Sequence, residues 1–122
     1  MRKVLVVEDS GFDGRLVELV LCSHGWQVQT CGGPFGVLNK LKEFEPDVIL
    51  LDLEMPGLYG YSLASLLKEH AGGRDVKMVS FSAVDERLQK EYVDKGMFDG
   101  YFMKSHDLYG LKEMLDELFD AP

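Results

Sequence analysis

Five polar side chains that could do chemistry stand where short apolar runs of the sequence end. They are Glu8, Asp9, Asp52, Ser82 and Lys104. Three carboxylates brought close together repel one another, so they must either take up protons or hold a cation. Oxygen ligands without a nearby Cys or His suit a hard divalent ion, and the ion we predict here is Mg²⁺.

A divalent cation of this kind usually holds phosphoryl oxygens. The ammonium of Lys104 would add a second positive charge, and Ser82 would supply a hydroxyl donor. Phosphoryl transfer needs this combination, because positioning and charge neutralisation provide most of its catalysis. The acceptor would be a carboxylate nucleophile. We predict that Asp52 is this nucleophile, because it ends the central apolar run and faces the other groups.

The elements that must position these groups alternate along the chain. Apolar or period-two runs predict strands, and apolar residues at helical spacing predict helices. The predicted strands cover residues 3–8, 26–30, 47–52, 76–82 and 100–103. The predicted helices cover residues 15–23, 37–44, 63–67, 85–95 and 108–119. This alternation predicts an α/β fold in which a parallel sheet carries helices on both faces.

Five such units fit a doubly wound, flavodoxin-like sheet, for which we predict the strand order 2-1-3-4-5. A (β/α)₈ barrel would need about twice as much chain. In an open sheet, ligands bind at the carboxyl ends of the strands where the strand order reverses. That point lies between the first and third strands, so the five polar groups should converge there.

The composition fits one globular domain over residues 1–122, with 46% hydrophobic and 28% charged residues. A formal net charge of −8 argues against nucleic acid or an anionic membrane as a partner. No apolar run approaches the about 20 residues of a membrane span, and the N-terminus lacks the features of a signal peptide. Cys22 and Cys31 show no metal-ligand spacing, and we expect both to be reduced in a cytoplasmic protein.

Several segments together form a specific pattern. They are VVEDS at 6–10, LLDLEMPG at 50–57, Gly60, VSFSA at 79–83 and GYFMK at 100–104. With these segments in this order, the sequence resembles the receiver domain of bacterial two-component response regulators. The resemblance runs from Val4 to about Phe119 and is closest in type to single-domain, chemotaxis-regulator-like receivers.

The resemblance implies a role for each acidic residue. Asp52 would accept a phosphoryl group from a phosphohistidine, either of a sensor histidine kinase or of a histidine phosphotransfer protein. Glu8 and Asp9 would bind Mg²⁺ together with Asp52. The backbone carbonyl of Glu54 would be a further ligand of the ion.

The resemblance also implies a switch. Lys104 would pair with the phosphoryl oxygens, and the aromatic ring of Tyr101 would turn inward when Ser82 moves to the phosphoryl group. This population shift would change the face of the fourth helix, fifth strand and fifth helix, to which a downstream protein would bind. The fourth predicted helix has a thin apolar stripe, as a movable helix would have: Leu88, Tyr92 and Val93.

Three positions depart from the usual pattern of the family. Ser105 follows Lys104, where the family usually has proline after a cis bond; a cis bond before a residue other than proline costs about 2.5–4 kcal/mol. The loop is therefore trans or strained, and the reach of Lys104 depends on it. Phe98 is either a core residue or an exposed docking aromatic. Glu54 places a long acidic side chain at the rim of the pocket, and the sign of its effect on dephosphorylation stays open.

Two other interpretations stay open. A pseudo-receiver would keep the fold and bind proteins without phosphate; the complete set of site residues argues against it, while Ser105 and Glu54 leave it open. A Mg²⁺-dependent aspartyl phosphatase would use residues 52–54 as a D-x-D element, but such enzymes usually carry a cap domain for which 122 residues leave no room. Under the receiver interpretation the chain is not an enzyme beyond its own phosphorylation and dephosphorylation.

Overall fold

The sheet has five parallel strands in the order β2-β1-β3-β4-β5, as the sequence predicts. The strands are β1 (Lys3–Val7), β2 (Gln27–Cys31), β3 (Val48–Asp52), β4 (Lys77–Ser82) and β5 (Gly100–Met103). The helices are α1 (Gly11–Ser23), α2 (Val37–Phe44), α3 (Gly60–Glu69), α4 (Glu86–Asp94) and α5 (Tyr109–Asp120). The structure is a computed structural model that describes residues 2–33, 36–54, 60–71, 75–83, 85–104 and 107–120, with only the backbone of residues 60 and 61.

Successive strand residues point to opposite faces, so continuous apolar runs supply a core on each side of the sheet. On one face, α1 and α5 pack against the sheet through buried aliphatic residues: Val17, Leu21, Leu111 and Leu115. On the other face, α2 and α3 contribute a second set: Val37, Leu41, Leu63 and Leu67. Strands β1 and β3 are buried on both faces and lie at the centre of the sheet.

Helix α1 begins four residues earlier than the sequence prediction of 15–23. Ser10 is its N-cap, and the Ser10 Oγ accepts a hydrogen bond from the backbone N–H of Asp13 at 3.2 Å. The first turn contains two glycines and an exposed Phe12, so it shows no apolar periodicity. The cap therefore sets the start of this helix, where the periodicity of the sequence gives no signal.

The three residues of the apolar stripe predicted for α4 differ in burial. Leu88 is 37% exposed, whereas the neighbouring Gln89 is 1% exposed and is the residue of α4 that is buried. Tyr92 and Val93 are half-buried and pack against the core. Phe98, which the sequence leaves between two roles, is buried in the core.

Gln89 joins three elements through its amide group. Its Oε1 accepts a hydrogen bond of 2.7 Å from the Ser80 Oγ on β4, and its Nε2 donates to the Met103 Sδ on β5 at 3.1 Å. Ser80 is fully buried. Because α4 buries little apolar surface, this polar contact holds the helix in register with the sheet.

Other expectations concern the cysteines, membrane segments and two loops. Cys22 is exposed and Cys31 is buried, and the Cys31 Sγ–H donates to the Gly33 carbonyl oxygen at 3.1 Å. Within the described ranges, no helix combines the length and apolar character needed to cross a membrane. The segment Met55-Pro56-Gly57 and Ser105 lie outside the described residues.

We expect Gln89→Leu to lower the free energy of unfolding by about 1–3 kcal/mol, because the buried Ser80 hydroxyl loses its acceptor. Urea unfolding measures the change as a shift of the midpoint at constant m. The double variant with Ser80→Ala should recover part of the loss, because the unpaired donor is then removed. An unchanged midpoint in Gln89→Leu would show that this contact does not hold α4.

Candidate functional site

The three predicted carboxylates lie together at the carboxyl ends of β1 and β3. These strands are paired in parallel, with Val7 opposite Leu51, so the residues that follow, Glu8 and Asp52, emerge side by side. One carboxylate oxygen from each of Glu8, Asp9 and Asp52 lies within 4.8 Å of the others. Glu8 and Asp52 are buried, while Asp9 is exposed at the mouth of the cluster.

Burial and a like charge determine the protonation of Glu8. Burial raises its pKa, the Asp52 carboxyl raises it further, and Lys104 and the Ser10 N–H lower it. The Ser10 N–H donates to the Glu8 Oε1 at 3.1 Å. The net result is a pKa of about 7 for Glu8, against 4.5 for an ordinary glutamate. The cluster thus holds a proton near neutral pH unless a cation replaces it.

Lys104 reaches into this cluster, as the sequence predicts. Its Nζ lies 2.8 Å from the Glu8 Oε2, 3.4 Å from the Asp13 Oδ2 and 3.5 Å from the Asp52 Oδ2. The backbone N–H of Lys104 donates to the Ser82 carbonyl oxygen at 2.9 Å, which continues the pairing of β5 with β4 and fixes where the side chain starts. Burial lowers the pKa of the ammonium, but these carboxylates outweigh it and raise the pKa above its ordinary value.

Ser82 lies at the end of β4, beside this cluster. Its Oγ donates a hydrogen bond of 2.7 Å to the Glu54 Oε1, and the Ala83 N–H donates to the same oxygen at 2.6 Å. Pairing of β3 with β4 sets this contact, because the Leu53 N–H donates to the Phe81 carbonyl oxygen at 3.2 Å and places the next residue beside Ser82.

The main chain and side chain of Glu54 act on different partners. Its backbone N–H donates to the Asp52 Oδ1 at 2.8 Å, so it orients the predicted nucleophile. The hydrogen bond from Ser82 lowers the pKa of its carboxyl, burial raises it, and the Ala83 N–H and the charge of Lys104 lower it further. The carboxyl pKa ends below its ordinary value, so the carboxylate is ionised at neutral pH.

Tyr101 lies outside the cluster, at the border of β5 and α4. Its phenol donates a hydrogen bond of 2.9 Å to the Glu86 Oε2 in the first turn of α4. Burial, and then the hydrogen bond and charge of Glu86, raise the pKa of the phenol. The ring is half-buried, so this is an outward arrangement tied to the helix.

Three contributions to the site were not predicted from the sequence. Asp13, in the first turn of α1, is a more distant partner of Lys104 than Glu8 is. In the sequence, its position three residues after Ser10 indicates a helix start but not a contact with Lys104. Ala83 belongs to one of the motif segments, but almost every residue has a backbone N–H. The residue type therefore does not show which N–H binds an anion. The side-chain contact of Glu54 depends on the direction that its loop takes, which periodicity does not report.

The donor set fits a hard divalent cation. The ligand atoms are carboxylate oxygens, two of the carboxylates are buried, and the ammonium of Lys104 offsets only part of their charge. Oxygen ligands of this kind are the preferred ligands of Mg²⁺ in proteins. The arrangement can therefore bind a cation and orient a carboxylate for attack on an electrophilic phosphorus.

Comparison with known proteins gives one family. A profile described as the response regulator receiver domain matches residues 4–116. Response regulator PleD from Caulobacter vibrioides is 30% identical over 127 residues, which cover 95% of this chain and 28% of PleD. The chain thus spans much less than two thirds of that relative.

Two solved structures are similar along the whole fold. A signal receiver domain of a response regulator from Bermanella marisrubri is 27% identical with a TM-score of 0.85, covering 97% of this chain and 98% of that one. Response regulator protein TrrA from Thermotoga maritima, solved in complex with Mg²⁺-BeF, is 26% identical with a TM-score of 0.82, covering 97% and 99%. From its profile match, its sheet order and its acidic cluster, this chain belongs to the receiver domain family of two-component response regulators.

Proposed function

We propose that this receiver domain is a phosphorylation switch in which Asp52 accepts a phosphoryl group. One observation carries the proposal: the Lys104 Nζ lies 3.5 Å from the Asp52 Oδ2 while Glu8 and Asp9 complete an acidic cluster beside it. This arrangement joins an oriented carboxylate nucleophile to groups that can neutralise phosphoryl oxygens. The donor would be a phosphohistidine of a sensor histidine kinase or a phosphotransfer protein.

The transfer is a displacement at phosphorus. An oxygen of the Asp52 carboxylate attacks the phosphorus as the P–N bond of the phosphohistidine breaks. The imidazole nitrogen keeps the bonding electron pair and takes up a proton from solvent. The Glu54 N–H holds the other carboxylate oxygen, and Lys104 stabilises the negative charge that builds on the phosphoryl oxygens.

Glu8, Asp9, Asp52 and the backbone carbonyl of Glu54 are the groups that would hold Mg²⁺. When bound, the ion supplies positive charge to the phosphoryl oxygens and relieves repulsion among the carboxylates. The Mg²⁺-BeF complex of TrrA supports this assignment, because TrrA shares the fold over nearly all of the chain.

The output would be a shift of α4, β5 and α5 toward an active arrangement that binds a downstream protein. Ser82 would leave Glu54 for the phosphoryl group, and Tyr101 would leave Glu86 and turn inward. Each hydroxyl would exchange one acceptor for another environment rather than lose its contacts outright, so we expect the two packings to differ by roughly a few kcal/mol.

The second candidate is a pseudo-receiver that binds its partner without phosphate. The contact that favours it is the Glu54 carboxylate, which already accepts from both Ser82 and Ala83. The aspartyl phosphatase alternative predicts steady-state turnover of small phosphate esters, which can be measured with the same protein.

We expect acetyl phosphate with Mg²⁺ to add one phosphoryl group to the protein, because the Asp52 carboxylate can displace acetate as it displaces imidazole. Intact-mass spectrometry measures the gain. Asp52→Asn should abolish it, since a neutral amide is a poor nucleophile, while the control Asp107→Asn on an exposed loop should react as the wild type does. No gain in the wild-type protein would favour the pseudo-receiver, and repeated turnover of ester would favour the phosphatase.

We expect Mg²⁺ to stabilise the protein, and more at pH 8 than at pH 6. The pKa of Glu8 is about 7 in the folded protein and 4.5 when unfolded, so the folded state binds more protons and the metal-free stability falls as pH rises between these values. Mg²⁺ should replace that proton and remove the fall. At a free concentration tenfold above Kd the gain is about 1.4 kcal/mol.

Thermal unfolding with and without Mg²⁺ at both pH values measures this effect. Asp9→Asn should weaken the Mg²⁺ response while raising the stability of the metal-free protein, because one repelling charge is gone. If Mg²⁺ leaves the melting temperature unchanged at pH 8, the acidic cluster is not a metal site.

We expect Glu86→Ala to raise the affinity for beryllium fluoride with Mg²⁺ by a few-fold, because losing one hydrogen bond worth about 0.5–1.5 kcal/mol frees Tyr101 to turn inward. Titration followed by ¹⁹F NMR of fluorotyrosine-labelled protein measures both affinity and ring position. Glu91→Ala is the matched control on the same helix, since Glu91 pairs with Lys95 at 3.3 Å instead. Equal affinities in the two variants would remove Glu86 from the switch.

A further inference from the structure

Two hydrogen-bond donors at the end of β4 converge on one carboxylate oxygen. The Ser82 Oγ and the Ala83 backbone N lie 2.7 Å and 2.6 Å from the Glu54 Oε1, and both donate to it. Short bonds of this kind are typical of charged acceptors. A hydroxyl and the next backbone N–H together form a small anion-binding cradle, and the anion in it is a side chain of this protein.

The cradle lies beside Asp52, the proposed acceptor of the phosphoryl group. Glu54 is two residues after Asp52, and its own N–H donates to the Asp52 Oδ1 at 2.8 Å. The Lys104 N–H donates to the Ser82 carbonyl oxygen at 2.9 Å, so Ser82 is also tied to the residue whose ammonium enters the acidic cluster. An anion bonded to Asp52 and an anion in the cradle would therefore compete for neighbouring space and for the same donors.

We propose that the Glu54 carboxylate is an internal competitor of the phosphoryl group, occupying the Ser82 and Ala83 donors until phosphorylation displaces it. This inference rests on the proposed function. It assigns to Glu54 a positioning role through its side chain, in addition to the backbone contacts of the same residue. Phosphorylation then exchanges one anion for another at the cradle instead of filling an empty one.

The exchange has a direction. The phosphoryl group carries about −2 charges and replaces the −1 charge of the Asp52 carboxylate, so the site gains about one negative charge, which repels the Glu54 carboxylate while the phosphoryl oxygens offer the donors a stronger acceptor. Glu54 is an exposed residue and can be hydrated once it leaves. When the phosphoryl group is lost, the tethered carboxylate returns at once, which favours the arrangement described here.

Substitutions of Glu54 separate the effect of its side-chain length from the effect of its charge. Glu54→Asp keeps the charge but shortens the side chain by one methylene, so it should no longer bridge to both donors. Glu54→Gln keeps the reach but removes the charge. Glu54→Ala removes both. All three keep the backbone N–H that orients Asp52 and the backbone carbonyl assigned to Mg²⁺.

The test is a titration of each variant with beryllium fluoride and Mg²⁺, followed by the amide resonances of the ¹⁵N-labelled protein. Glu54→Ala and Glu54→Asp should each lower the dissociation constant by on the order of tenfold, the factor that one lost charge-assisted hydrogen bond carries. Glu54→Gln should lie between them and the wild type. Glu43→Gln, an exposed position on α2, is the control for loss of one negative charge and should match the wild type.

The Ala83 amide gives a readout that needs no ligand. Its proton should move upfield in metal-free Glu54→Ala and Glu54→Asp, because a short bond to a carboxylate is lost. An unchanged Ala83 resonance would overturn the inference, and so would equal affinities in all variants. If Glu54→Ala gains affinity for beryllium fluoride while Glu54→Asp matches the wild type, repulsion by the carboxylate charge is the cause. Occupancy of the Ser82 and Ala83 donors by Glu54 is then ruled out.

Failure of the proposed function has a different signature. In that case no variant, with or without Glu54, binds beryllium fluoride or gains a phosphoryl group from acetyl phosphate, and both proposals are overturned together. Wild-type protein that reacts poorly beside a Glu54→Ala variant that reacts well would support both.

Discussion

The crowding of like charges at the ends of β1 and β3 is the constraint on which the rest of the site depends. Glu8 and Asp52 are buried beside each other, and burial together with this neighbour brings the pKa of Glu8 to about 7. The Lys104 ammonium, 2.8 Å from Glu8, compensates only part of the charge. A protein keeps such an arrangement at a cost in stability, so a cation or a proton is needed to complete it.

The sheet makes this crowding unavoidable. Because β1 and β3 are buried on both faces and paired in a fixed register, Glu8 and Asp52 cannot move apart without breaking the central ladder. Lys104 is placed in the same way, through the pairing of β5 with β4. The sheet thus fixes the positions of the charged groups. The residues directly after β3 and β4, at positions 54 and 83, determine which hydrogen-bond donors and carboxylates lie beside them.

The sequence was sufficient for the fold, the sheet order and the residues of the acidic cluster. Strand ends follow from apolar patterning, and the order 2-1-3-4-5 is a common doubly wound order for five right-handed βα units. The sequence was insufficient where a contact depends on the direction of a side chain or of a loop. The burial of Gln89 was missed because hydrophobic patterning assigns buried positions of α4 to apolar residues, whereas here a hydrogen bond to Ser80 stabilises a buried amide. The contact of Glu54 with Ser82 was missed because it depends on loop geometry, to which periodicity is blind.

Both hydroxyls assigned to the switch are held by carboxylates in the structure described here. Ser82, at the end of β4, donates to Glu54, and Tyr101, on β5, donates to Glu86 in the first turn of α4. A new negative charge on Asp52 would act on the first contact directly, by repelling Glu54 and attracting the Ser82 hydroxyl. It would act on the second only through the movement of β4 and α4, which Gln89 joins. The order of events in the switch would therefore run from Glu54 to Ser82 and then to Tyr101, because Glu54, unlike Glu86, lies beside the charge that changes.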